Sequence, residues 1–421
     1  MRWKDSPRAV LIAMLVIHVL AHIDRHMLIG FSPQITQDLT LSNAQYGFLT
    51  GAVWVLSFGV MAVFMGTLAD RFSRTKVMAA GILVWSVCTA ASGAAHSFEQ
   101  MAAARFLVAS GEAALVPAAV SLLAEIFSEE RRGGAMGVFF MGIPLGIGLS
   151  FVLAGIFGAS EGWRSTFTML GIVGVVIALP LLLLRDDRGS QGQTERGAPF
   201  RKQVRDVLAT LRSNSTVRAT IAGFVLIHLV FAGLAFMQLW LVRERGFDSS
   251  HVAVQLGVLQ IIFGVLGALM GGMLGDRFAR RMKGGHAGFM VALVALCAPL
   301  MIAARFAPAG SALFYVGLCA GFFLPLAVYG PALALIQGLT PARMRSTVTG
   351  VTMLLINVLA VAIGNLVAGI ASDRLSAAGF ASPLTVVLLA TDLFAVLAGV
   401  FFAMAARGPK VQGAPMPVIA H

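Results

Sequence analysis

The apolar residues of this chain come in runs too long for a soluble fold, with 291–304 and 384–406 the clearest. About 20 predominantly apolar residues carry a helix across a bilayer. Twelve such spans are readable, at about 9–32, 43–66, 76–95, 98–126, 133–158, 164–184, 217–243, 251–275, 285–304, 310–338, 347–371 and 383–405. Only 12% of residues are charged, where about 25% is usual in soluble domains. These features imply an all-α polytopic membrane protein. One long polar stretch, 185–216, opens RDDRGSQGQTERGAPFRKQVRD. It reads as a linker loop between a six-span bundle at 1–184 and a second bundle with a short tail at 217–421, with room for a surface helix at about 200–211.

Orientation follows from Lys and Arg. With the N-terminus in the cytoplasm, the termini and the even-to-odd loops collect 24 of the 31. The other face receives Arg164, Arg243, Arg245, Arg305 and Arg374. This excess places both termini inside, in what is expected to be a bacterial inner membrane. It also explains the net charge of +12 through anionic lipid headgroups rather than nucleic acid. Arg2 and Lys4 precede an apolar run without a small-x-small cleavage site, so the first span reads as uncleaved. Cys88, Cys297 and Cys319, an odd number in apolar spans, imply no disulfide framework. The glycosylation match at Asn214-Ser-Thr lies on the cytoplasmic side and reads as chance.

Two loops repeat. GTLADRFSR follows span 2 and GMLGDRFAR follows span 8, both G-x-x-x-D-R-F-x-R, 206 residues apart. A weaker pair, SEERRGGAMG and PARMRSTVTG, follows spans 4 and 10. Repeats at equivalent places in two halves imply pseudo-symmetric bundles with a site between them. The doubled loop resembles the signature of the major facilitator superfamily. HIDRHML in span 1, RFLVASGEAALVPAA in span 4 and FFMGIPLGIGLS in span 5 resemble its Spinster-like branch; an Asp-Arg in span 1 with an Arg and a Glu in span 4 also resembles the anion:cation symporter branch. In physical terms Gly66 allows close helix approach, Asp70 can cap a helix end, and Arg71 and Arg74 can hold carboxylates or carbonyls. Together with Asp276, Arg277 and Arg280 they form an expected latch on the cytoplasmic rim, holding the outward-open state.

The charges inside the spans carry the site. Counting from Arg8, Asp24 lies about 24 Å along span 1, and Arg105 about 10 Å from the outer end of the antiparallel span 4. Their depths agree, so an ion pair is expected. Glu112 lies two turns deeper, and Arg25 is offset about 100° from Asp24, free to face a cavity. Each such charge costs about 2.5–3.5 kcal/mol at a helix centre, too heavy a load for a stability device alone. Asp24 and Glu112 are the expected proton-coupling residues. Arg25 and Arg105 are the expected substrate cations, and Gln260, Tyr329 and Asn357, with Gln238, are the neutral polar groups facing them from the second half.

Other features carry less. His18, His22 and His26 share one helix face, but no Cys or Glu lies near to complete a metal site, leaving packing or a proton relay. His228 and Asp392 read as helix–helix hydrogen bonders. Gly142, Pro144, Gly146, Gly148 and Gly155 lack the strand–turn–helix context of a nucleotide loop and suit close helix packing. No P-loop, zinc spacing or Ser-His-Asp arrangement is present, so neither an ATP-driven pump nor an enzyme is expected, and no cofactor or metal. The expectation is a monomeric secondary transporter working by alternating access with protons, in contact with membrane lipids. Its lopsided charge suits an anionic or amphipathic substrate; the Spinster resemblance implies a lysolipid or sphingoid-like molecule, and the other branch implies sugar acids.

Overall fold

The computed structural model describes residues 6–71, 73–182, 214–341 and 344–408. The linker and its surface helix fall outside the described residues, apart from positions 214–216. The Asn214 side chain accepts from the Val217 N–H at 3.1 Å and caps span 7, which therefore begins at Ser215, inside the range assigned to the linker.

Among the described residues, twelve helices are long and apolar enough to cross a membrane. Spans 1 to 6 are Pro7–Gly30, Asn43–Met61, Arg74–Gly93, Phe98–Ile126, Arg131–Ser160 and Gly162–Leu181. Spans 7 to 12 are Ser215–Arg243, Ser249–Gly272, Gly285–Phe306, Ala312–Gly338, Thr347–Ala377 and Pro383–Ala406. Each lies within a few residues of its expected place. The outward faces carry large exposed apolar residues such as Ile172, Leu296 and Val400, as a lipid-facing surface requires.

Proline punctuates these helices where the centre needs them bent. Span 4, expected as one helix, is two, Phe98–Glu112 and Leu115–Ile126. Pro117 has no N–H for the Ala113 carbonyl and its ring crowds that carbonyl, so the break falls directly after Glu112. Span 5 breaks at Met141 between Glu129–Phe140 and Gly142–Ser160, where Pro144 stands in the same relation to Phe140. Spans 2 and 11 each carry π-helical turns, Phe48–Ala52 and Ile356–Ile363, which pack on one another between the halves. Such turns widen a helix locally and recur at functional sites.

Small residues set the helix spacing. A Cβ on Gly142 would meet the His18 ring at 2.8 Å, and Gly146 faces His22, so the histidine face of span 1 packs into the glycine face of span 5. Gly148 faces span 8 instead, where a Cβ would lie 2.7 Å from the Gly257 carbonyl oxygen. Spans 5 and 8, and spans 2 and 11, thus pack across the halves on the face away from the termini. Towards the termini, among the described residues, segments 115–126 and 129–140 have no comparable packing against 275–281 or 345–355. The space between the halves is therefore closed on the far face and splayed on the terminal face.

Gly171 of span 6 tests this close packing. A Cβ there would lie 2.9 Å from both Ala90 Cβ and Ala90 N of span 3, and overpacking of this kind costs about 1–3 kcal/mol. Gly171→Val should lower the melting temperature in detergent, while Gly59→Val, with nothing within 4 Å of the added Cβ, should leave it unchanged. Equal melting curves for Gly171→Val and the unmodified protein would contradict this packing.

Candidate functional site

Asp24 and Arg105 meet across spans 1 and 4. Arg105 Nη1 lies 3.1 Å from Asp24 Oδ1, and both side chains are buried, at 5% and 2% exposure. Arg105 Nη2 donates to the backbone carbonyls of Asp24 at 3.3 Å and Arg25 at 3.2 Å. Thr89 of span 3 donates its hydroxyl to Asp24 Oδ2. Both carboxylate oxygens and both terminal guanidinium nitrogens are therefore engaged. This is the arrangement a buried pair needs, because attraction repays desolvation only when the remaining donors and acceptors are satisfied.

Arg25 turns the other way, as its angular offset from Asp24 requires. It lines a cavity of about 390 Å³ between the halves, and neither Asp24 nor Arg105 does. The Arg25 guanidinium carbon sits 3.3 Å from the centroid of the Trp54 ring, a cation–π contact worth about 2 kcal/mol when desolvated. Among the described residues no carboxylate is in ion-pair contact with it. The Trp54 indole N–H in turn donates to Glu112 Oε2 at 2.7 Å. The other Glu112 oxygen is buried without a partner, and Glu112 also lines the cavity. Arg25, Trp54 and Glu112 thus form a chain of contacts on the first half's wall. Trp54 escaped the sequence reading because an aromatic in an apolar span is ordinarily packing.

The second half contributes Gln260, Tyr329 and Asn357 to the lining, together with Asn365 and His228. Gln260 is buried and its Nε2 has no partner. Tyr329 reaches the Met353 sulfur at 3.3 Å, and Asn357 bonds back to the Met353 carbonyl at 2.9 Å. Gln238 lies outside the lining and donates weakly to the Ser249 carbonyl at 3.4 Å. His228, expected to join helices, instead bonds the Phe224 carbonyl of its own helix at 2.7 Å. Most of the remaining wall is Phe, Leu, Ile and Val.

His18, His22 and His26 all face the cavity. His18 bonds the Phe139 carbonyl at 2.9 Å and stacks on its ring, and His26 bonds the His22 carbonyl at 2.9 Å. Among the described residues, no group of three or more His, Cys, Asp or Glu is placed to hold a metal ion. Asp392 joins two helices, span 12 to span 9, as expected. It accepts two hydrogen bonds from Arg305, at 2.7 and 3.2 Å, both side chains being buried. Arg305, expected in the far-face loop, lies within span 9 and also faces the Trp240 ring. A cation at a predicted span end and an acid in the next antiparallel pair of spans were the signals available.

Of the repeated loops, the side chains of Gly66, Asp70, Arg71 and Arg280 fall outside the described residues. Arg74 is buried and donates to Glu125 Oε2 at 2.5 Å. Asp276 lies 2.8 Å from His286 Nε2, and Arg277 is exposed.

The buried pair is testable by a double-mutant cycle. Removing one partner strands the other charge, a loss of about 3–5 kcal/mol. Asp24→Asn and Arg105→Met should each lower the melting temperature strongly, and the combined variant should be more stable than the sum of the two losses implies. Strictly additive shifts would mean that the two side chains act independently.

The profile of the Major Facilitator Superfamily matches residues 14–364. An MFS-type efflux pump of Mycolicibacterium smegmatis (strain ATCC 700084 / mc(2)155) is 29% identical over 381 residues, covering 89% of this chain and 87% of the relative. Protein spinster of Drosophila melanogaster is 29% identical over 276 residues, 63% of this chain and 45% of that protein. Among solved structures, a bacterial homolog of the human lysosomal transporter Spinster, inward-facing and unoccupied, superposes with a TM-score of 0.82 at 23% identity, covering 95% and 97% of the two chains, and shares the fold. Twelve apolar helices among the described residues, in two packed halves, with a profile match over most of the length, make this chain a member of the Major Facilitator Superfamily, a membrane transporter rather than an enzyme.

Proposed function

We propose that the chain is a proton-coupled secondary transporter, working by alternating access, for an organic anion with an apolar body of the lysolipid or sphingoid type. The observation that carries this reading is Arg25, a guanidinium on the cavity wall with no carboxylate partner among the described residues, opposite mainly apolar side chains. A guanidinium keeps its charge when desolvated and its fork fits a carboxylate or phosphate. The anionic head binds at Arg25 over the face of Trp54. The apolar body lies along Phe231, Phe322 and Ile356, and Gln260 offers its unpartnered amide to a polar atom between them.

Glu112 is the coupling residue in this scheme. One of its oxygens is held by Trp54 and the other has no partner, and a buried carboxylate in that condition is stabilised by a proton or by an approaching cation. Rocking of the 1–184 and 217–421 halves changes its hydration and so exchanges its proton with alternate sides. Asp24, engaged by Arg105 and Thr89, keeps span 1 seated on span 4 while this happens. Both termini lie in the cytoplasm of a bacterial cell, the protein works as a monomer in the inner membrane, and the Gly66–Arg74 and Asp276–Arg280 loops latch the cytoplasmic rim of the outward-open state.

Transport into proteoliposomes tests the scheme. Arg25→Ala should reduce uptake of a lysophospholipid at least tenfold while leaving the melting temperature near that of the unmodified protein. Glu112→Gln should lose accumulation driven by a pH gradient and retain counterflow exchange; Asp24→Asn should impair both. Undiminished transport by Arg25→Ala would make that residue structural, and undiminished accumulation by Glu112→Gln would remove it from coupling. Stabilisation and uptake with sugar acids but not lysolipids would replace the substrate class.

A further inference from the structure

The loop motif has a third copy that lies on the opposite face. Residues 369–374 read G-I-A-S-D-R, matching G-T-L-A-D-R at 66–71 and G-M-L-G-D-R at 272–277, although the final arginine of the other two copies is replaced by Ala377. Six residues alone would be a weak match. The geometry makes it more. The copy sits at the end of span 11 away from the termini, and its carboxylate reaches across the boundary between the halves to the start of span 2. Asp373 Oδ1 accepts the Asn43 N–H at 3.0 Å, and Oδ2 accepts the Ala44 N–H at 2.8 Å. These amides belong to the first turn of a helix that runs on from Asn43 through Phe48–Ala52 to Arg71, where N–H groups have no intrahelical acceptor and the helix dipole favours an anion.

The motif's glycine does matching work. A Cβ at Gly369 would meet the Asn43 carbonyl and lie 2.8 Å from Ala44 Cα, so only glycine lets the two helix ends approach closely enough for the carboxylate to reach both amides. Two neighbours support the contact. Asn43 Nδ2 donates to Ser372 Oγ at 3.1 Å, and Arg243 of span 7 donates to Asn43 Oδ1 at 3.0 Å and Thr36 Oγ1 at 2.7 Å. The whole cluster joins the first half to the second on the face where the cavity is closed.

We propose that Gly369 and Asp373 form a far-face latch, built on the same motif as the loops of the terminal face, that holds the transporter closed away from the termini and is released when that face opens. The proposal concerns the conformational equilibrium and rests on neither the substrate nor the proton scheme above.

The test measures that equilibrium without substrate. Spin labels on Gln37→Cys and Ala378→Cys, exposed far-face positions on the two halves, in a background with Cys88, Cys297 and Cys319 replaced by Ser, report the far-face separation in lipid nanodiscs. Asp373→Ala should raise the ratio of long to short separations roughly tenfold or more, the scale set by losing a charge-assisted hydrogen bond. Asp373→Asn, which keeps one acceptor oxygen, should give a smaller shift in the same direction. Gly369→Val attacks the contact from the backbone and should also favour the long separation, so the test stands on whichever variant folds. Arg374→Ala should change nothing. Unchanged ratios in the folded Asp373 and Gly369 variants would overturn the latch.

Discussion

Taking two acids and two arginines out of water forces a choice of partners, and the whole centre follows from it. Asp24 takes Arg105, with Thr89 and two backbone carbonyls filling the remaining valences. A pair so completely engaged has little left to offer a ligand. The consequence is that Arg25, one residue on and about 100° around the helix, is left with an aromatic face in place of a carboxylate. Glu112 is left with an indole N–H in place of a guanidinium. Charge that is half satisfied in a low-dielectric space is what a ligand or a proton can complete. In the proposed scheme the saturated pair is scaffold, and the half-satisfied groups on either side of Trp54 are the reactive part of the wall.

Much of this was legible from periodicity and depth. Run lengths located the twelve helices, because a bilayer accepts only closed hydrogen-bonded elements of nearly fixed length. The depth of Asp24 and Arg105 on antiparallel spans was enough to bring them together, and rotation per residue separated Arg25 from its neighbour. What escaped notice depends on three-dimensional neighbours that no one-dimensional rule encodes. Trp54 approaches Arg25 and Glu112 only because span 2 lies beside spans 1 and 4. Arg305 looked like a loop cation because it ends an apolar run, yet its flexible side chain turns back into the bundle to meet Asp392, as long side chains near helix ends do. The π-helical turns of spans 2 and 11 leave no compositional trace.

Small residues of span 5 both close the far face and shape the site. Gly142 and Gly146 admit the histidine face of span 1, Gly148 admits span 8, and Pro117 and Pro144 bend spans 4 and 5 beside the cavity. Span 5 is thereby in contact with span 1 of its own half and with span 8 of the other. A shift at the far-face seam between spans 5 and 8 therefore moves a helix that directly abuts the residues flanking Arg25. Packed interfaces tend to have discrete arrangements rather than continuous ones, so the seam and the site share one mechanical element.

Alternating access requires two arrangements within a few kcal/mol of each other, since a state favoured by much more would trap the carrier. A carboxylate on the first amides of a helix at a half-buried rim suits that demand. It is specific, because only one approach of two helix ends satisfies both oxygens, and it is moderate, because at the rim water replaces the lost hydrogen bonds when the contact opens. A buried ion pair such as Asp24–Arg105 would be the wrong device there, since breaking it strands charge in hydrocarbon. Under the proposed alternating-access scheme the acids have two separate uses: saturated pairs within each half, where nothing should move, and a carboxylate-to-backbone contact between the halves, where something must.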